Sequence, residues 1–245
     1  MKIVFGWIGR FALVAIGTVL LLQFYYFACV GWYSRFDPSA TAFMRSHMDV
    51  VKQKNPDAKP EQQWVPYARI SDHLKRAVIT AEDARFAEHE GVDWDAVAKA
   101  YENNERVGTD AATSASKGKR QRARVKGGST ITQQLAKNLF LSGERSYLRK
   151  GQELVIAYML EFWMSKQRIL EIYLNVIEWG NGVFGAEAAA RHYFGVSAAQ
   201  LSAAQAAQLA VMLPNPRFYD AHRGSGYLAR RSAAISRWMG DAEMP

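Results

Sequence analysis

Phe11 to Tyr33, "FALVAIGTVLLLQFYYFACVGWY", runs for 23 residues without a charged side chain. As a helix rising about 1.5 Å per residue it reaches roughly 34 Å, enough to cross the hydrocarbon core of a bilayer. Thr18 and Gln23 are its main polar side chains, and Tyr25, Tyr26, Trp32 and Tyr33 gather at its C-terminal end like an interfacial aromatic belt. A cleaved signal peptide has a shorter apolar centre followed by an Ala-x-Ala-like site, and neither is found here. Cys29, the single cysteine, lacks the leucine three residues upstream that marks a lipidated cysteine. The run therefore reads as an uncleaved anchor over 11–33 behind a short tail, 1–10, which sets the chain apart from freely soluble proteins.

Charge does not orient this anchor. Lys2 and Arg10 precede it, and Arg35, Arg45 and Lys52 follow closely. A lone cysteine inside the span forbids an intramolecular disulfide and leaves the redox compartment open. Of the 31 Lys and Arg, 29 lie beyond the anchor against 23 Asp and Glu, a net +6. Such a surface suits phosphates, whether of nucleic acid, anionic lipid or a pyrophosphate.

Residues 34–64 hold Pro38, Pro56 and Pro60 and read as a linker with room for one short helix, ahead of a domain over 65–245. From Ser71, a candidate N-cap, Leu74, Ala77, Val78 and Ala81 recur at helical spacing. A second helix is expected over Trp94 to Asn103. The segment 103–126, "NNERVGTDAATSASKGKRQRARVK", has six Lys or Arg in its last ten positions and reads as a solvated insert. Further helices are expected over Arg145–Met164 with Leu148, Val155, Tyr158, Met159 and Phe162 as apolar positions, and over Lys166–Val176 with Ile169, Ile172 and Tyr173. Two more follow, over Ala186–Phe194, stopped by Gly195, and over Ser202–Leu213, stopped by Pro214 and Pro216. Strand signals are scarce, so the fold class is mostly α.

Two stretches carry chemistry. In "AEDARFAEHEG", Glu82 flanks the apolar stripe of the helix before it. A carboxyl beside apolar neighbours loses hydration, which raises its pKa and suits it to accept a proton near neutral pH. The same stretch fits a solvated acid at a helix end, and the residues alone leave both open. No second His or Cys stands at metal spacing from His89, so no zinc site is expected. In "GGSTITQQLAKNLF", Thr130 and Gln133 form a capping-box pattern after a permissive Gly127–Gly128 turn. Capping does not account for the rest. Thr130, Gln133, Gln134 and Lys137 share one helix face, a strip of donors ending in a cation behind helix-start N–H groups, suited to phosphate or sugar oxygens. Downstream, Arg149, Lys150 and Glu153 sit within one turn. Arg149–Glu153 on its own fits an ordinary surface ion pair, and spacing does not show whether Arg149, Lys150 and Lys137 meet.

Together these motifs resemble the peptidoglycan glycosyltransferase family. Glu82, Asp83, Phe86, His89 and Gly91 match its first motif, Gly127 through Asn138 its second, and Arg149, Lys150 and Glu153 its third. "RILEIYLN" and "LPNPRFY" match the fourth and fifth, in family order over roughly 65–220. The resemblance implies a lysozyme-like, two-lobed helical glycosyltransferase domain behind one transmembrane helix, of the monofunctional kind. It also implies a polymerase that joins lipid II into β-1,4-linked glycan, with inversion and release of undecaprenyl pyrophosphate. Glu82 would be the general base, and Glu153 a second essential carboxylate. Lys137, Arg149 and Lys150 would stabilise the pyrophosphate. Asp83, Phe86, His89, Ser129, Thr130, Gln133, Gln134 and Asn138 would complete the substrate site. A divalent cation, Mg or Mn, would assist, with no organic cofactor. The partners would be lipid II, the growing strand and other wall-synthesis proteins, with the domain in the periplasm of a bacterium and its anchor in the inner membrane. A lysozyme-like enzyme that cleaves glycan is the nearest rival. A membrane-tethered basic binding protein is a second, weakened because the densest basic run has no aromatic residue to stack on nucleic acid.

Overall fold

The anchor and the domain meet along a shared helix pair, which fixes where everything else lies. The computed structural model describes residues 2–103, 128–141 and 146–245. Helix α1 (Lys2–Tyr33) contains an apolar span of 27 residues, Trp7–Tyr33, with mean hydropathy 2.0. The span begins four residues before Phe11, and Arg10 within it lies over the Trp7 ring, 5.3 Å from its centroid.

The segment 34–64 holds the one short helix that the sequence left room for, and it packs against the domain. It carries α2 (Ala42–Lys54) and strand β1 (Glu61–Gln62), both built into the domain. Thr41 caps α2 by accepting the Met44 N–H at 3.0 Å, and Met44 and Met48 enter the core. The prolines at 38, 56 and 60 flank this helix without interrupting it, so a proline count alone hid an amphipathic stripe.

Helix α3 (Asp72–Glu82) starts on its Ser71 cap and buries Leu74, Ala77, Val78 and Ile79. Residues 94–103 are helical (α4). Helix α5 (Ile131–Phe140) begins with the full Thr130/Gln133 capping box. Then come α6 (Tyr147–Trp163), α7 (Lys166–Val176), strands β2 (Glu178–Gly180) and β3 (Val183–Phe184), and α8 (Ala186–Phe194), which ends on left-handed Gly195. Helix α9 (Ala203–Met212) follows, then α10 (Pro216–Ala221) and α11 (Gly226–Trp238). The strands form one small sheet in the order β1-β3-β2, with β1 parallel and β2 antiparallel to β3. Gly185 after β3 takes φ +83°, and a Cβ there would stand 2.6 Å from the Asn175 carbonyl oxygen, so glycine is required.

Helices α3, α9 and α11 pack as one group, while α5 packs with α2, α6 and α7, and α1 lies along α6. One continuous buried core joins the two groups. Helix α6 corrects the expected stripe. Its core face is Ile156, Ala157 and Leu160, whereas Leu148 and Phe162 are 89% and 72% exposed, with Val155 and Tyr158 also exposed. The helix is apolar on two faces, so periodicity alone did not separate the core face from one that continues the exposed surface of α1.

Motif four is a clamp at the anchor's exit. Arg168 donates to the Tyr33 and Phe36 carbonyls and pairs with Asp37 and Glu171 at 2.8 Å. Buried Asn175 accepts the Val65 N–H and donates back to the Val65 carbonyl, both at 2.9 Å.

Candidate active site

The site forms where α3 ends and α5 begins. Asp83 leaves helical geometry at φ −160° and turns its carboxylate toward the start of α5. There it accepts the Ile131 N–H at 3.0 Å, an anion on a helix N-terminus. The same carboxylate meets His89 Nε2 at 2.9 and 3.1 Å. Thr130 reinforces the joint: its hydroxyl accepts the Gln133 N–H at 3.2 Å and donates to the Gly91 carbonyl at 2.6 Å. The Gln133 carbonyl oxygen accepts the Thr130 N–H at 3.1 Å, completing the box. Gly128 passes close to α4, where a Cβ would lie 3.2 Å from the Ala96 carbonyl oxygen. Gly127 and most of the basic insert fall outside the described residues.

This joint aims Gln134 at Glu82. Its Nε2 donates to Glu82 Oε2 at 2.7 Å, while its Oε1 accepts the Tyr173 hydroxyl at 3.0 Å. Tyr173 is fully buried, and burial, with the charges of Glu82 and Asp83, holds its phenol well above the ordinary value. The phenol therefore stays a donor, which fixes the amide with its oxygen toward Tyr173 and its NH₂ toward Glu82. Burial also raises the Glu82 carboxyl above the usual carboxylate range. The Gln134 hydrogen bond and the Lys137 charge oppose that rise, and Asp83 adds to it. Among the described residues no hydrogen bond is made to Glu82 Oε1.

A cation cluster adjoins this carboxyl. Glu153 is buried and accepts from Arg149 Nη1 at 2.8 Å, and its other oxygen faces the Lys150 ammonium. Lys150 also donates to the exposed Ser129 hydroxyl at 3.2 Å, linking α6 to the loop before α5. Lys137 is half-buried. Burial lowers its pKa first, then the Arg149 and Lys150 charges, while Glu153 and Glu82 pull it up. Two cations thus share one buried carboxylate with Lys137 close enough to feel all three charges, an excess of positive charge suited to a dianion. A cavity of about 250 Å³ opens beside Glu82, lined also by Arg85, Asp93 and Ser129.

The structure divides the thirteen expected site residues. Glu82, Ser129, Gln134, Lys137, Arg149 and Lys150 all reach solvent, Glu82 and Ser129 on the cavity of about 250 Å³ and Arg149 and Lys150 on another of about 420 Å³, with Glu153 buried. Phe86, expected at the substrate, is a fully buried core side chain with the Lys166 ammonium 4.7 Å above its ring. Asp83, His89, Thr130 and Gln133 direct polar groups to one another or to backbone. Asn138 is buried and donates to the Gln134 carbonyl at 2.8 Å. Asp83 and Thr130 also line the cavity beside Glu82, and His89 Nδ1 is buried without a hydrogen-bond partner among the described residues. Two participants were not singled out in sequence. Tyr173 reads in sequence as a stripe residue of α7, and Arg85 lines the cavity with Asp93 and pairs with Asp93 and Asp95. Only the spatial pairing reveals them.

Among the described residues no group of three or more His, Cys, Asp or Glu is placed to hold a metal ion. Glu153, the carboxylate beside the cations, has both oxygens engaged, by Arg149 and Lys150.

A single-span membrane protein whose helical domain sets a desolvated carboxyl beside a cation cluster is built for group transfer from an anionic, lipid-borne substrate. A family profile described as Transglycosylase matches residues 48–240. The "Biosynthetic peptidoglycan transglycosylase" of Herminiimonas arsenicoxydans is 61% identical over 245 residues, all of both chains. Proteins of the same description from Janthinobacterium sp. (strain Marseille) and Thiobacillus denitrificans are 59% and 52% identical, again over the full length of both chains. The chain belongs to the transglycosylase family.

Proposed function

We propose that this enzyme polymerises lipid II into β-1,4-linked glycan strands, with Glu82 as the general base. Its raised pKa makes the carboxylate a better proton acceptor, and Oε1 is left for the 4-hydroxyl of the acceptor sugar. As that hydroxyl attacks the donor's anomeric carbon, the proton passes to Glu82 and the C1–O bond to the pyrophosphate breaks, with inversion. Negative charge then grows on the leaving pyrophosphate beside Lys137, Arg149 and Lys150, where fixed cations stabilise the transition state more than the ground state. Glu153 holds two of those cations in place. A divalent cation, Mg or Mn, would be carried by the substrate's own pyrophosphate oxygens.

The observation that carries this reading is the sharing of one buried carboxylate by cations from α6, beside the Glu82–Gln134 pair. A glycan-cleaving enzyme needs a carboxyl acid but no such cluster. Lipid II lies in the membrane, so the domain would face the periplasm of the inner membrane, within reach of the growing strand and of other wall-synthesis proteins.

The test is incubation of the detergent-solubilised protein with labelled lipid II, beside Glu82→Gln. Long strands digestible by lysozyme are expected from the wild type, with a loss of about 10²–10⁴-fold in the variant. Cleavage of preformed glycan without any polymer would replace this reading with the hydrolase.

A further inference from the structure

Gln23 lies well inside the apolar span of α1. A primary amide in hydrocarbon finds no water, so it needs a protein partner, and its presence there marks a position with a task. Its partner is Gln152 on α6. Gln23 Nε2 donates to Gln152 Oε1 at 2.8 Å, and Gln152 Nε2 donates back to Gln23 Oε1 at 3.0 Å. This reciprocal pair tolerates a single register, since sliding either helix by one residue, about 1.5 Å, breaks both bonds. The other contacts between the two helices are apolar and forgiving. Phe27 meets Phe162 and Trp163 at centroid distances of 5.7 and 5.1 Å, and Gly31 lets the Trp163 ring lie close.

Gln152 directly precedes Glu153, and Arg149 and Lys150 lie within the turn before it. We propose that Gln23 and Gln152 are positioning residues, which lock the Arg149–Lys150–Glu153 cluster at a fixed height against the bilayer-held anchor. The pyrophosphate of a lipid-borne substrate is itself held at a fixed height, between its lipid tail and its sugars. Cations mounted on a helix free to slide would meet it only part of the time. The proposal rests on the reading of that cluster as the pyrophosphate site.

The full chain in phospholipid nanodiscs provides the test. Gln23→Leu strands the Gln152 amide and is expected to lower kcat for lipid II polymerisation about tenfold, with KM within about twofold, because the cations act on charge that appears in the transition state. Phe27→Leu loosens the same helix pair away from the cations and should leave kcat within about twofold of wild type. A second arm does not depend on activity. In a Cys29→Ser chain, Gln23→Cys combined with Gln152→Cys should join through a short bis-maleimide, while Gln23→Cys combined with Tyr158→Cys should not. Unchanged kcat in Gln23→Leu, or an equal fall in Phe27→Leu, would overturn the positioning role. Failure of the 23–152 cross-link would overturn the register itself. Formation of the 23–152 cross-link together with a wild type that makes no polymer would instead refute the lipid II reading.

Discussion

Glu82 is a carboxyl that the fold keeps uncomfortable. Burial favours its neutral form, so its folded pKa lies above the unfolded value. A carboxyl shifted that way contributes stability below its unfolded pKa and loses it as pH rises through the folded pKa. At neutral pH the ionised base therefore costs the fold stability, and Glu82→Gln, which still accepts the Gln134 hydrogen bond, should raise Tm while abolishing polymerisation. Differential scanning calorimetry beside the lipid II assay reads both; a lower Tm in the variant would contradict the desolvation account. Gln134 adds a second expectation. Its hydrogen bond favours the charged carboxylate, so Gln134→Ala should move the acid limb of the kcat/KM profile to higher pH. The rate should then fall more on the acid side of the profile than on the alkaline side, and an unmoved limb would separate Gln134 from the base.

At the scale of elements, α5 and α6 play different parts, and substitutions should separate them. Thr130 caps α5 and ties it to Gly91, so Thr130→Ala should cost about 1–2 kcal/mol of stability with KM for lipid II little changed, while Thr130→Ser keeps both bonds. A large rise in KM would return Thr130 to the substrate site. Glu153→Gln instead leaves Arg149 and Lys150 without their shared carboxylate. Lys150 is well exposed, which limits the stability loss to about 1–3 kcal/mol. Polymerisation should fall further, about 10²-fold, because the cations lose their fixed places. The capping box, the Ser71 cap and the Gly195 stop were legible in sequence, since each is a local device of a few residues. The short sheet was not, because its strands hold two or three residues and β1 pairs with β3 across more than a hundred positions. Helix α11 was missed for a related reason: Leu228 and Ile235 are its only buried side chains, too thin a stripe to announce a helix. The motifs showed which residues belong together. They did not show that Asp83, Thr130, Gln133 and Asn138 make hydrogen bonds within the α3–α5 joint, because such a bond and a ligand contact call for the same residue types.

On the scale of the whole molecule, the anchor and the site are one construction. Arg168 binds the carbonyls at the end of α1, Gln152 pairs with Gln23, and the helix bearing the cations turns an apolar face outward beside the span. That face, with Leu148 and Phe162, is too continuous with α1 to be left in water without cost. It is expected to sit in the outer leaflet, which brings Arg149 and Lys150 to the level where a lipid pyrophosphate lies. A nitroxide attached through Leu148→Cys in a Cys29→Ser chain should be relaxed more by oxygen, which partitions into lipid, than by a water-soluble nickel chelate. The same label at exposed Arg45 should show the reverse order. Greater access of the chelate at position 148 would stand α6 clear of the bilayer, and the substrate would then have to lift its pyrophosphate out of the headgroup layer to reach the cations.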